Sequence, residues 1–175
     1  RLSDEQISTE IDAGRMVVGL LIGIPDWARA EDQLPRGLWA SYDDPDNTWA
    51  TYVSKTVSRY QGRIDHWIIW NEPDIRESEL AHTWDGSVSD FAQLQRSAYL
   101  AAKEANPDAV IHLPAFTYWA DYQAGSEQYM TLLIDQILED PQASANNYYF
   151  DIATAHLYFQ PSQVYDLIGF FTNIM

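Results

Sequence analysis

Residues 64–75 read IDHWIIWNEPDI, an apolar run that ends abruptly in Asn71, Glu72 and Pro73. Short runs of β-branched and aromatic residues are typical of strands buried in a parallel sheet. Pro73 cannot donate a hydrogen bond to a neighbouring strand, so we expect the strand to end there. Glu72 is then predicted to lie at the carboxyl end of a buried strand, where α/β proteins place their chemistry. A carboxylate that only caps or hydrates a loop is the alternative.

Three other apolar segments repeat this pattern, at 16–24 (MVVGLLIGI), 109–115 (AVIHLPA) and 151–158 (DIATAHLY). A long segment with helical spacing of its apolar residues separates each neighbouring pair, which predicts right-handed βαβ units and a parallel sheet. Four such strands are half of a (β/α)8 barrel. A doubly wound sheet is the rival architecture, but it would normally carry a Gly-rich phosphate loop, and none is present. We therefore predict an α/β fold, a partial (β/α)8 TIM barrel with about four parallel strands alternating with helices.

Composition narrows the possible partners. The chain has 175 residues, of which 46% are hydrophobic and 14% aromatic, and this is typical of a folded globular protein. Its formal net charge of −16 argues against a nucleic-acid or membrane partner. The absence of cysteine excludes disulfides and thiolate metal sites. No apolar run approaches the roughly 18 residues that a membrane span needs, and the cellular compartment is left open.

Residues 1–175 are expected to form one partial-barrel catalytic domain that is truncated at both ends. Arg1 is not a translational start, and no signal peptide is recognisable. The last apolar segment also stops without a C-cap.

Polar and aromatic side chains follow the predicted strands, and we expect them to meet at one rim of the sheet. Sugars bind well to such surfaces, because their C–H faces stack on aromatic rings and their hydroxyls need fixed polar partners. His156 and Tyr158 lie two apart and so point the same way, although a buried His-Tyr pair is the alternative. Core packing is the alternative for the aromatic residues. The candidate substrate-binding residues are Trp27, Asn71, Trp84, Trp119, His156 and Tyr158.

The histidines and carboxylates of the sequence do not have the spacing of a cofactor or metal site, and no cofactor is predicted. His66 and His112 fall early in their strands and are interpreted as structural. No His-x-x-x-His or comparable carboxylate spacing appears, so no metal site is predicted.

The motif WNEPD at 70–74 resembles the acid/base motif of clan A, the large (β/α)8 clan of retaining glycoside hydrolases that includes cellulase-like and xylosidase-like families. In that clan the motif closes barrel strand four. GLLIGIPDWA then resembles strand three, AVIHLPA strand five, and HLY the His-x-Tyr often found after strand six. The resemblance implies a fragment that covers barrel strands three to six.

The resemblance also implies roles for single residues. Glu72 resembles the general acid/base, Asn71 the amide that binds the sugar 2-hydroxyl, and His156 and Tyr158 residues near the nucleophile. A retaining glycosidase needs a second carboxylate as nucleophile, about 5–5.5 Å from the first. In the clan this is a Glu after strand seven, which the chain does not reach. No residue of this sequence is assigned to that role.

Three hypotheses follow from the sequence. The first is a fragment of a retaining glycoside hydrolase that acts on β-linked glycosides or polysaccharides without a cofactor, with little activity expected from the chain alone. The second is a half-barrel that binds carbohydrate without cleaving it. The third is a half-barrel completed by self-association or by a complementary chain, because an open parallel sheet leaves two edges that need cover.

Overall fold

The computed structural model describes residues 3–75, 82–158 and 160–175. Its strands are β1 (Val18–Leu21), β2 (His66–Ile69), β3 (Val110–Phe116) and β4 (Ile152–Ala155). Its α-helices are α1 (Asp4–Asp12), α2 (Thr48–Tyr60), α3 (Val88–Ala105), α4 (Trp119–Ala124), α5 (Tyr129–Leu138) and α6 (Val164–Ile174). Short 3-10 helices occupy Asp26–Ala28, Ser144–Tyr149 and Pro161–Gln163.

The four strands form one parallel sheet in the order β1-β2-β3-β4. Each strand lies beside the next one in the sequence, with helical segments between them. This confirms the predicted α/β fold of four parallel strands alternating with helices, consistent with part of a TIM barrel.

Capping residues explain where the main helices begin. Ser3 and Gln6 form a reciprocal capping box at α1, and Ser87 and Asp90 form another at α3. The side chain of Asn47 accepts a hydrogen bond from the backbone N–H of Ala50 at the start of α2. These caps fix the helix starts that position the loops at the carboxyl ends of the strands.

The hydrophobic core lies between the sheet and the helices. The apolar side chains that β1, β2 and β3 direct toward the helices are almost completely buried, and they pack with residues of α2, α3 and α5; the strand residues are Leu21, Trp67, Ile69, Ile111 and Leu113. Alternate residues point to the opposite face. There Val18, Leu20 and Ile22 stay exposed, so this second face, called here the inner face, is only partly covered.

Two local features concern β3 and the aromatic segment that follows it. The aromatic segment after β3 is not a loop throughout, because Trp119–Ala124 forms the short helix α4. Strand β3 also contains a register shift between His112 and Ala115. Pro114 lies inside that interval and cannot donate a ladder hydrogen bond, which accounts for a bulge at this point.

No described helix is both long enough and apolar enough to cross a lipid bilayer.

Candidate active site

The backbone after β2 is held between its two neighbouring strands. Trp70 N–H donates to Leu21 O at 2.8 Å, and Glu72 N–H donates to Ala115 O at 3.0 Å. Asn71 forms a parallel bridge with Ala115. Glu72 therefore lies at the carboxyl end of the sheet.

Glu72 occupies a strained backbone position. Its φ angle is 47°, and that of Trp70 is 69°, in a region that residues with a side chain seldom adopt. Such strain costs about 1–3 kcal/mol per residue and persists only where the surrounding structure imposes it. Thr83 supplies part of that restraint, because its hydroxyl donates to Asn71 O at 2.7 Å and accepts from Nε1 of Trp70 at 3.1 Å.

The Glu72 carboxylate faces the imidazole of His156, the residue directly after β4. Nδ1 of His156 lies 2.6 Å from Oε1 of Glu72. The Glu72 side chain is 14% exposed and that of His156 36%, so the pair is sheltered but reachable from solvent. The donor in this hydrogen bond is either the imidazole N–H or a carboxyl O–H. A carboxyl in contact with an imidazole at an accessible strand end has a geometry suited to acid–base chemistry.

Two predicted neighbours lie close to this pair. The Tyr158 ring is exposed and stands edge-on to the His156 ring, with 5.9 Å between centroids. Asn71, the residue before Glu72, is half-buried. The segments after β2 and β4, the two strands on either side of β3, thus bring together Glu72, His156, Tyr158 and Asn71.

Asp74 is a buried carboxylate two residues after Glu72. Its Oδ2 accepts hydrogen bonds from Thr117 N–H at 2.7 Å and from Thr117 Oγ1 at 2.6 Å. Burial raises the pKa of Asp74, the Thr117 hydrogen bonds oppose the rise, and the charge of Glu72 adds to it. Because both Thr117 donors bind this carboxylate, Asp74 is placed to hold structure and not to attack a substrate.

Trp27 and Trp119 follow β1 and β3. Trp27 is 72% exposed and lines an apolar groove of about 490 Å³ together with Pro25, Trp49 and Tyr52. Trp119 is half-buried at the first position of α4. Both residues belong to the same end of the parallel sheet as Glu72, and Trp27 offers an open ring face.

Trp84 does not offer such a face, in contrast to its interpretation as a substrate platform. It is only 3% exposed, and its ring packs edge-on against Trp70 and Phe91. Its Nε1 donates to Ser87 O at 3.2 Å. The ring is part of the core beneath the site, because the loop that carries it folds inward onto α3.

Sequence reasoning assigned no role to Asp74, Thr83 or Thr117. Each acts through hydrogen bonds between segments that are distant in sequence, and such pairings have no local signal.

The inner face carries a histidine pair away from Glu72. Nδ1 of His66 lies 3.0 Å from Nε2 of His112. Burial lowers the pKa of His112, the neighbouring His66 lowers it further, and Asp151 acts in the opposite direction. Within residues 3–75, 82–158 and 160–175, no three His, Cys, Asp or Glu side chains are grouped to hold a metal ion.

Similarity to known proteins is found at the level of structure. No protein-family model and no curated protein match the sequence. A glucosidase from Croceicoccus marinus superposes with a TM-score of 0.54 at 16% identity, over 78% of this chain and 26% of the glucosidase. A family 44 glycoside hydrolase, the xyloglucanase of Paenibacillus polymyxa, gives 0.51 at 12% identity over 86% and 37% of the two chains.

A third solved structure is CelM2, a bifunctional glucanase-xylanase from a metagenome library. It superposes with a TM-score of 0.54 at 15% identity, over 91% of this chain and 43% of CelM2. The fold is similar to that of glycoside hydrolases. The chain spans from about a quarter to less than half of the length of these proteins. At such identities the likeness concerns the fold, and activity has to be argued from the residues of the site.

Proposed function

We propose that this chain carries the acid/base half of a retaining glycoside hydrolase active site, with Glu72 as the general acid/base. The observation that supports this most directly is the 2.6 Å contact between the Glu72 carboxylate and His156 at the carboxyl end of a parallel sheet. The WNEPD motif at 70–74 and the fold of the three solved glycoside hydrolases are compatible with it.

The chemistry assigns Glu72 two successive tasks. As an acid it gives a proton to the leaving glycosidic oxygen, and as a base it removes a proton from the water that releases the sugar. His156 can donate to the Glu72 carboxylate once the proton has left, which stabilises the charge that forms there. Asp74 is not proposed as the nucleophile, because it is buried and bound by Thr117, and a nucleophile from outside this chain is proposed instead. Little or no hydrolysis is therefore expected from the chain alone.

The substrate is proposed to be a β-linked glycoside or polysaccharide. Trp27, Trp119 and Tyr158 supply aromatic faces or edges for sugar rings, and Asn71 supplies an amide for a sugar hydroxyl. No cofactor is proposed. The aromatic rings and the amide at the rim suit the C–H faces and hydroxyls of an uncharged sugar.

Binding of cationic sugar mimics tests the role of Glu72. Isothermal titration calorimetry with five- and six-membered iminosugars should show binding that weakens by about tenfold or more in Glu72→Gln, because a charge-assisted hydrogen bond contributes roughly 1.5–3 kcal/mol. Glu139→Gln, at an exposed glutamate beyond α5, is the matched control and should bind as the parent does. Equal binding by Glu72→Gln and the parent would contradict the proposal. Substantial turnover of aryl β-glycosides that Glu72→Gln abolishes would contradict an external nucleophile.

A carbohydrate-binding module without catalysis is the second candidate. The observation that favours it is the exposure of Trp27 beside an apolar groove. In this case neutral oligosaccharides should bind saturably, Trp27→Ala should abolish binding, and Glu72→Ala should leave it intact. The same calorimetric experiment therefore separates the two candidates.

A further inference from the structure

Three consecutive residues at the end of β3 hold the parts of the site together. Ala115 O accepts from Glu72 N–H at 3.0 Å, and Phe116 O accepts from His156 N–H at 2.8 Å. Thr117 binds Asp74 through both its N–H and its hydroxyl. The end of β3 is therefore the spacer that sets how far the Glu72 backbone lies from the His156 backbone.

Asp74, in the turn after β2, is the residue that binds Thr117. It lies two residues beyond Glu72, and the intervening turn is closed by a bond from Ile75 N–H to Glu72 O at 3.3 Å. Only 4% of Asp74 is exposed, and its Oδ1 has no hydrogen-bond partner in the part of the chain that the structure describes. Its interaction with Thr117 is thus a direct side-chain link between the turn that carries Glu72 and the end of β3.

We propose that Asp74 is a positioning residue for Glu72, and that its double hydrogen bond to Thr117 holds the strained Glu72 turn in the register that places the carboxylate on His156. The link acts through the backbone, since Asp74 touches neither the sugar nor the reacting atoms. The inference rests on the proposed function only in treating Glu72 as the group whose position matters.

The strained backbone of the Glu72 turn is the reason why such a link is needed. The φ angles of Trp70 and Glu72 are unfavourable for residues with side chains, so the turn relaxes toward extended backbone unless something opposes it. The Thr83 hydroxyl donates to Asn71 O, just before Glu72. Asp74, two residues after Glu72, accepts a hydrogen bond from Thr117 N–H. Ile75 O contacts Nδ1 of His82 at 3.0 Å, and the Asp74 side chain links the same turn to Thr117 at the end of β3.

Nuclear magnetic resonance of the imidazoles tests the link without any sugar. The chain has four histidines, and His156→Gln identifies the His156 signals. In the parent, His156 Nδ1 should show the ¹⁵N shift and the downfield proton of an imidazole bound to a carboxylate, and both should vanish in Glu72→Gln. Asp74→Ala should lose the same signals, whereas Asp74→Asn, which keeps one acceptor oxygen, should lose them only in part.

Thr117 provides an independent pair of variants. Thr117→Val removes one of the two donors and should weaken the His156 signals, while Thr117→Ser keeps both donors and should restore them. If Asp74→Ala fails to fold, this pair decides the question. Asp140→Asn is the matched control. Asp140 follows the C-terminal end of α5 and accepts hydrogen bonds from Tyr149 Oη at 2.7 Å and from Arg96 Nε at 2.9 Å. It should lower stability and leave the His156 signals unchanged.

A purely structural role would move the unfolding midpoint and leave the His156 signals as they are. Folded Asp74→Ala or Thr117→Val protein with parental His156 signals would overturn the proposal. Failure of iminosugar binding, by contrast, would contradict the proposed function and leave the positioning role of Asp74 standing.

Discussion

At the scale of single residues, buried or half-buried polar side chains are paired, both in the site and on the inner face of the sheet. Asp74 binds Thr117, and His66 contacts His112 with 3.0 Å between Nδ1 and Nε2. A buried polar group without a partner costs about 1–3 kcal/mol. Each of these pairs therefore contributes to the stability of the sheet only while its hydrogen bond and its protonation state are kept.

The His66–His112 pair predicts a pH dependence of stability. Burial and the neighbouring His66 lower the pKa of His112 from its ordinary value of 6.5, whereas Asp151, which pairs with Lys103 at 2.9 Å, acts against this. The unfolded chain then takes up a proton first as the pH falls. The free energy of unfolding should therefore decrease as the pH falls from about 6.5 through the folded-state pKa.

Urea unfolding of the parent and of His112→Gln between pH 7.5 and 5 measures this effect. The parent should lose stability across the interval, and the variant should lose less, because it lacks the titrating imidazole. Asp74 contributes with the opposite sign, since its raised pKa makes the folded protein take up the proton first. Both proteins contain Asp74, so its contribution cancels in the difference between the parent and His112→Gln. Parallel pH profiles would contradict the assignment to His112.

At the scale of elements, β3 sets the geometry of the rim. The register shift between His112 and Ala115 changes which residues of β3 face β4. Beyond the shift, Ala115, Phe116 and Thr117 each bind a different part of the site. The bulge at Pro114 therefore lies directly before the three residues that bind the parts of the site.

The pairing of β1 with β2 depends on Gly19. A Cβ at Gly19 would lie 2.2 Å from Cε3 of the Trp67 ring, which is buried across the strand pair. We expect Gly19→Ala to lower the free energy of unfolding by about 1–3 kcal/mol, because the ring has to shift in a packed core. Gly169→Ala in α6 is the matched control. A Cβ there meets nothing within 4 Å, and the change should raise stability by roughly 0.5–1 kcal/mol. Chemical denaturation measures both, and an equal effect of the two substitutions would contradict the close-contact explanation.

At the scale of the whole molecule, the sheet is covered on one face and open on the other. Val18, Leu20 and Ile22 form an exposed apolar row along β1. In the described parts of the chain, β1 pairs only with β2 and β4 only with β3, which leaves one edge of each outer strand unpaired. An apolar face and free strand edges favour association, whereas the net charge of −16 opposes it.

We therefore expect a second copy to cover the inner face when the charge is screened. Sedimentation velocity should show more dimer in about 1 M salt, where the Debye length is roughly 3 Å, than in about 0.1 M salt, where it is about 10 Å. Leu20→Glu should reduce association at both salt concentrations. Leu138→Glu, at an exposed leucine of α5, is the control and should have little effect. A strictly monomeric species at high salt would contradict this expectation.

The sequence was sufficient to predict the order and type of the main elements and the position of Glu72. The capping residues Ser3 and Ser87 and the proline after Glu72 are local signals, and they predict boundaries without knowledge of contacts. Trp84 was misinterpreted because a tryptophan in a polar loop has the same sequence signature whether its ring turns outward or inward. In the folded protein Trp27 is 72% exposed and Trp84 only 3%.

What the sequence by itself determined is the alternation of apolar strands with amphipathic helices, and with it the parallel sheet that has Glu72 at its carboxyl end. Only the tertiary structure decided which groups meet Glu72. His156 lies 84 residues away and contacts it at 2.6 Å, and Asp74 meets Thr117 across 43 residues. The physical reason is that strand periodicity is a property of neighbouring residues, whereas these contacts depend on register, on a bulge at Pro114 and on a turn with unfavourable φ angles. Of these, only the bulge has a local signal in the sequence, Pro114 itself.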